Sequence, residues 1–206
     1  MPTSKKRVLI LSFTDHCTDP RVSRQIEALH NDFHLITAGT SEGTHRETEH
    51  FQLTKNRHTF VEKMLIAIKL KACFYESAYW GQQAIKIALE KLDTVEVDAI
   101  VANDLETLPL AHKLAQDKKI KIYFDAHEYS PKEFDGNFMF DYFLAAYYHY
   151  LCKTYLPYID AMAKKLNNLT VEDLNKFKQN SHKAATIYNA ENNAEQLKLI
   201  LSRLCQ

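Results

Sequence analysis

The run Val8-Leu9-Ile10-Leu11 limits most sharply what this chain can fold into. It lies within Arg7 to Phe13, a short branched-aliphatic segment ended by the turn-forming cluster Thr14 to Pro20, and reads as a buried strand. A helix follows at once. Asp19 suits the N-cap, Pro20 the first helical position, and Val22, Ile26 and Leu29 recur at helical spacing until Asn31-Asp32. Phe33 to Ala38 supplies a second strand and completes a β-α-β unit.

The alternation continues. Residues 39 to 57 read as a polar loop with a short strand near Phe51. From Thr59 to Leu92, Met64, Leu65, Ile68, Tyr79, Ile85, Ala88, Leu89 and Leu92 outline one long or two consecutive amphipathic helices, with Gly81 as the break. Strands are expected over Asp98 to Ala102 and Ile120 to Asp125, around a helix from Thr107 to Asp117. Phe138 to Tyr158 reads as an aromatic helix, Thr170 to Lys178 as a short helix, Ala184 to Tyr188 as a last strand and Glu191 to Leu204 as a closing helix. The expected class is α/β, a doubly wound, Rossmann-like parallel sheet covered on both faces. Residues 1–190 form its domain, and 191–206 a terminal helix packed on it or a linker remnant.

Composition narrows the partners. The 206 residues hold 26 Lys plus Arg against 26 Asp plus Glu, so no basic excess favours nucleic acid. Cys17, Cys73, Cys152 and Cys205 are scattered without a CxxC pair, which fits neither a disulfide framework nor a zinc site and points to a reducing, cytoplasmic setting. No stretch approaches the 18 or so consecutive apolar residues of a transmembrane helix.

In a doubly wound sheet, ligands sit beyond the carboxyl ends of the strands, which here means Ser12 to Arg21, Asn103 to Pro109 and Asp125 to Glu128. With four glycines in the chain, neither GxGxxG nor GxxxxGK[ST] can be written, so a self-sufficient NAD, FAD or ATP domain is not expected. Arg21 stands against the helix macrodipole and needs an anion. A salt bridge to Asp15 or Asp19 is one reading; a substrate or interdomain contact is the other. Asp125-Ala126-His127-Glu128 is the densest chemical group, with Asp125 and His127 on one side of an extended chain. Three readings stay open there: a substrate-facing imidazole, a structural network, and a metal site lacking a second ligand cluster. A hydrolase reading has no GxSxG elbow to support it.

Three stretches together carry a resemblance: Ser12-Phe13-Thr14 through Asp19-Pro20-Arg21-Val22-Ser23-Arg24-Gln25-Ile26-Glu27-Ala28-Leu29, then Asp98 through Asn103-Asp104-Leu105-Glu106-Thr107-Leu108-Pro109, then Tyr123-Phe124-Asp125-Ala126-His127-Glu128. In order and spacing they resemble the N-terminal, acceptor-side domain of the retaining GT-B glycosyltransferases. Thr186 to Ala190 resembles the strand leading into that family's interdomain linker.

The resemblance implies one half of a GT-B fold. Its activity would be transfer of a sugar from a nucleotide-sugar donor, as substrate rather than cofactor and without a metal, to a hydroxyl of a carbohydrate or lipid-linked acceptor. It makes His127 and Asp104 the catalytic candidates, His127 facing the transferred sugar. Asp19, Arg21, Asn103, Asp125 and Glu128 become substrate-binding candidates.

Two departures stand out. Sixteen residues follow Ala190, well below the roughly 50 of the smallest domains, so the donor-binding half is expected to be absent. Lys164 and Lys165 fall where the family has an apolar strand. The chain alone is therefore expected to be incomplete as an enzyme, with a non-catalytic carbohydrate-binding or interaction module as the alternative. The open cleft would be offset by a separate C-terminal domain, a homodimer partner or the terminal helix, whose Leu197, Ile200, Leu201 and Leu204 form an apolar stripe. For the aromatic helix, packing on its own sheet stands against a peripheral contact with the inner face of a membrane.

Overall fold

The computed structural model describes residues 5–44, 46–126, 142–160 and 190–205, with 190–196 described by their backbone alone. Five parallel strands form one sheet: β1 (Arg7–Leu11), β2 (His34–Gly39), β3 (Glu49–Gln52), β4 (Ala99–Asn103) and β5 (Lys121–Asp125). Their spatial order is β3-β2-β1-β4-β5. The chain thus winds outward from β1 in one direction through β3, then returns to its other side for β4 and β5, and the order reverses between β1 and β4. Register is continuous, with Leu9 opposite both Ile36 and Ile100.

Strand periodicity divides the interior into two cores. Val8 and Ile10 of β1, Leu35 of β2, and Ala99 and Val101 of β4 point to one face. Against that face lies α1 (Pro20–Leu29), through Val22, Ile26 and Leu29. Beside it lies α7 (Ala190–Leu204), through Leu197 and Leu201 and, just beyond its end, Cys205. The alternate residues Leu9, Leu11, Ile36, Ile100 and Ile122 face the other way, toward the core covered by α4 (Gln83–Leu92), α5 (Leu108–Ala115) and α6 (Ala145–Tyr155). Every β4 side chain is buried, which is why a continuous apolar run specifies this strand.

The helices begin where local chemistry permits. Asp19 caps α1 by accepting from the Arg21 backbone N–H, with Pro20 in the first turn. A reciprocal capping box joins Thr59 and Glu62 at the start of α2 (Phe60–Lys71). The segment from Thr59 to Leu92 forms three helices, the third being the short α3 (Tyr75–Trp80). Gly81 does end α3, but the earlier break lies at Ala72 to Phe74, where Cys73 takes a positive φ of 59°.

A second difference is larger. Met64, Leu65 and Ile68, expected as a buried stripe, are exposed, whereas Tyr79, Ile85, Ala88 and Leu92 are buried. The described part of the aromatic helix buries Tyr147, Leu151 and Tyr155 in the same core, packed against α5, and Pro157 lies in the 3-10 turn, Leu156–Tyr158, that follows it. The expected elements at 170–178 and 184–188 and the Lys164-Lys165 pair lie outside the described residues. No helix among the described residues is long and apolar enough to cross a membrane.

Candidate functional site at the carboxyl edge of the sheet

The loops after β1, β4 and β5 meet at the point where strand order reverses. On the α1 face they form a buried polar network. Gln25 and Asn103 exchange amide hydrogen bonds, Gln25 Nε2 donating to Asn103 Oδ1 at 2.9 Å and Asn103 Nδ2 donating to Gln25 Oε1 at 3.0 Å. Gln25 Nε2 also donates to Asp125 Oδ2 at 2.6 Å. Asn103 is fully buried, so its amide fixes the spacing between α1 and the ends of β4 and β5. Gln25 was not singled out from the sequence, although the signal exists: it is the polar member of the inward set Val22, Gln25, Ile26, Leu29.

Nearer the surface, Arg21 bridges two carboxylates. Its guanidinium donates to Asp19 Oδ2 at 3.0 Å and to Asp104 Oδ1 at 3.2 Å. The anion that Arg21 needed is therefore a pair of protein carboxylates, Asp19 as one of the two sequence options and Asp104 from the opposite loop. Burial alone would lower the Arg21 pKa, but Asp104 and Asp19 outweigh it and hold the cation firmly charged. Asp19 moves below its ordinary value despite burial, because it accepts from the Arg21 backbone and from the Thr14 hydroxyl and sits beside the guanidinium.

Asp104 is the strained residue of this edge. Its backbone lies at φ 68° and ψ 150°, a region that glycine adopts freely and other residues adopt at a cost of roughly 1–3 kcal/mol. The surroundings hold it there: the Thr107 hydroxyl donates to the carbonyls of Asn103 (2.9 Å) and Asp104 (2.8 Å), and Arg21 grips the carboxylate.

The opposite face has different chemistry. A cleft of about 600 Å³ opens beyond β1 and β4, walled by Phe13, Ile66, Leu70, Tyr79, Ile85 and Tyr147. Glu106 is the carboxylate on this wall. Its side chain keeps exposed surface, but the protein packed around the carboxyl desolvates it and pushes it above its ordinary value, against the hydrogen bond that the Tyr148 hydroxyl donates at 2.8 Å; negative Asp104 adds to the shift. The edge therefore carries the Arg21–Asp104 ion pair on one face of the sheet and an apolar trough with Glu106 on its wall on the other.

A third cluster lies behind the first loop. His16 has no exposed surface, and neither ring nitrogen has a hydrogen-bond partner. Its ring rests on Gly39, where an added Cβ would come within 2.6 Å of His16 Cδ2 and Cε1. The edge of the stack is closed by His50, whose centroid is 5.7 Å away. His50 is well satisfied: Nε2 donates to the Ser41 carbonyl at 2.9 Å, and Nδ1 shares a hydrogen bond with the Thr37 hydroxyl at 2.7 Å. Burial, with a smaller contribution from His50, lowers the His16 pKa to about 4, although Glu47, Asp15 and Asp19 act in the opposite direction.

The sequence candidates Asp19, Arg21, Asn103, Asp104 and Asp125 thus converge on one edge. His127 and Glu128 lie outside the described residues. Among the described residues, no three His, Cys, Asp or Glu side chains converge as a metal site requires.

No family model, curated protein or solved structure matches this chain.

Proposed function

We propose that the chain is the acceptor-binding half of a GT-B-type glycosyltransferase, serving transfer of a sugar from a nucleotide sugar to a hydroxyl of an amphiphilic acceptor. The observation that carries the reading is the strained Asp104, paired with Arg21 at the strand-order reversal and followed two residues later by Glu106 on the wall of an apolar cleft. Strain of this kind persists where surrounding structure over-determines it, and it collects at binding and catalytic positions. The sequence resemblance supplies the reaction class, because a fold alone does not specify chemistry.

In this reading the cleft takes the apolar part of the acceptor, and its hydroxyl end lies at the lip, where Asp104 accepts a hydrogen bond and Arg21 keeps that carboxylate oriented. Glu106, on the cleft wall, offers its carboxyl as a second hydrogen-bonding group to the ligand. The Gln25–Asn103–Asp125 network fixes the start of the segment that carries His127, the residue the resemblance assigns to the transferred sugar. Departure of the nucleoside diphosphate needs cations and backbone N–H groups around it, and these belong to a donor-binding domain.

Calorimetry on the full chain tests the reading, with octyl β-glucoside below its micellar concentration as the acceptor probe and UDP-glucose as the donor probe. The glucoside is expected to bind, and Asp104→Asn and Glu106→Gln each to weaken it by roughly fivefold, in keeping with loss of one hydrogen bond to a charged or polar group. UDP-glucose alone is expected to show no tight site. Absence of glucoside binding, binding indifferent to both substitutions, or micromolar binding of UDP-glucose would each overturn the proposal.

A further inference from the structure

We propose that α2 docks the protein onto an anionic lipid surface through its outward face, a contact that does not depend on the transfer reaction. The inward side of α2 lines the cleft with Ile66, Ala67 and Leu70. Its outward side should then be polar, and it is not. Phe60, Val61, Met64, Leu65 and Ile68 recur at helical spacing along one stripe and are 49–77% exposed, and Phe74, just beyond the helix, is 64% exposed. A helix that is apolar nearly all round belongs in a protein core or at a lipid boundary. Here, among the described residues, only one side meets the protein core.

Charge identifies the occupant. From Thr54 to Phe74 the chain carries Lys55, Arg57, Lys63, Lys69 and Lys71 against a single acid, Glu62, in a molecule whose overall charge balances. Glu62 is committed to the capping box with Thr59. Lys55 and Arg57 are exposed just ahead of the helix, and Lys71 lies at the end of the apolar stripe with its ammonium over the Tyr142 ring. An exposed apolar stripe with Lys55 and Arg57 exposed at its head and Lys71 at its far end meets the two needs of stable attachment to an anionic bilayer, insertion of hydrocarbon and attraction to headgroups. A second protein chain would bury the same apolar stripe, but it would have to supply a matching acidic face, and the whole molecule has no acidic excess to offer a copy of itself. Docking through α2 would also turn one wall of the cleft toward the bilayer, from which an apolar ligand arrives.

Vesicle co-sedimentation of the full chain decides the matter, using phosphatidylcholine with about 30% phosphatidylglycerol against phosphatidylcholine alone, as the electrostatic part predicts. The protein should pellet with the anionic vesicles and be released as salt rises past a few tenths molar. The variant Phe60→Ser/Leu65→Ser/Ile68→Ser should lose roughly tenfold or more in partitioning, because three exposed hydrocarbon side chains no longer insert. Its melting temperature should stay at or above that of the parent, since none of the three contributes to the core. Three results would overturn the proposal: parent protein left in the supernatant with anionic vesicles, equal pelleting of the variant, or light scattering that shows a parent dimer dissociated by the triple substitution. Strong hydrogen-exchange protection of the residue 60–68 side of the lipid-free monomer, lost in a segment-deleted chain, would assign the stripe to an intramolecular cover and also overturn it.

Discussion

Protonating His16 would put a charge where no water and no hydrogen-bond partner reaches it. In the unfolded chain the imidazole takes its proton near the ordinary value of 6.5; in the folded protein it does so at about 4. Between those values the unfolded state holds more protons, so stability is full above about pH 6.5 and falls as pH drops toward 4. At about 1.4 kcal/mol per pH unit, the gap is worth about 3 kcal/mol, a large part of the stability of an ordinary domain. His16→Leu keeps nearly the same volume on Gly39 and removes two unsatisfied nitrogens. Both backbone contacts of the residue survive, the Ser41 hydroxyl accepting from its N–H and the Ser23 hydroxyl donating to its carbonyl. Urea unfolding of parent and variant at several pH values between 7 and 4.5 should therefore give similar stability at neutrality, within about 1 kcal/mol, and a visibly flatter acid slope for the variant. A variant with the parent's slope would show that the acid sensitivity has another source and that His16 is not held neutral.

Substitutions at three further positions, each with its control, probe the same edge and its support. Gly39→Ala should cost about 2 kcal/mol by urea denaturation, because the new Cβ meets the buried His16 ring, and combining it with His16→Ala should remove most of that cost. At position 104 glycine should be more stable than alanine by about 1–2 kcal/mol in thermal melts, since both lose the Arg21 contact and only alanine keeps the backbone strain. Leu201→Ala, at a fully buried position of α7, should cost about 2–4 kcal/mol, whereas Leu199→Ala, more than half exposed, should cost almost nothing.

Much of this architecture was legible because the governing signals are local. Four branched aliphatic residues in a row, Val8 to Leu11, closed at once by a turn-forming cluster, read as a strand buried on both faces, and Asp19-Pro20 announces its helix by cap chemistry. The β4 and β5 strands and the short β3 near Phe51 followed from the same reasoning. The break at Cys73 did not, because a non-glycine residue with positive φ leaves no mark in composition. The apolar pattern of α2 was read as a buried stripe, since periodicity reports which residues share a face and not what that face meets.

The candidate site divides in the same way. Its carboxylates and Arg21 stood out as charges after strands, and the Asp19 contact was among the sequence options, but the partner Asp104 is 83 residues from Arg21 and could be supplied only by topology. Gln25 escaped because a lone amide on a helix looks like surface until its neighbours are known to be core. His16 escaped for the opposite reason: nothing in a scattered histidine shows that a glycine from the next strand will leave room for its ring.

The division of the interior into two cores has a consequence for synthesis on the ribosome. Among the described residues, the core beneath α4, α5 and α6 draws on nothing beyond Ile159, so it can consolidate once that much of the chain has emerged. The core on the α1 face cannot. It borrows Leu197, Leu201 and Cys205 to cover strands made much earlier, and until those residues emerge Val8, Ile10 and Leu35 lack part of their roof. For the interval between Ile159 and Cys205 the nascent chain holds one finished half and one greasy, open half, and that open half is where a chaperone would be expected to bind.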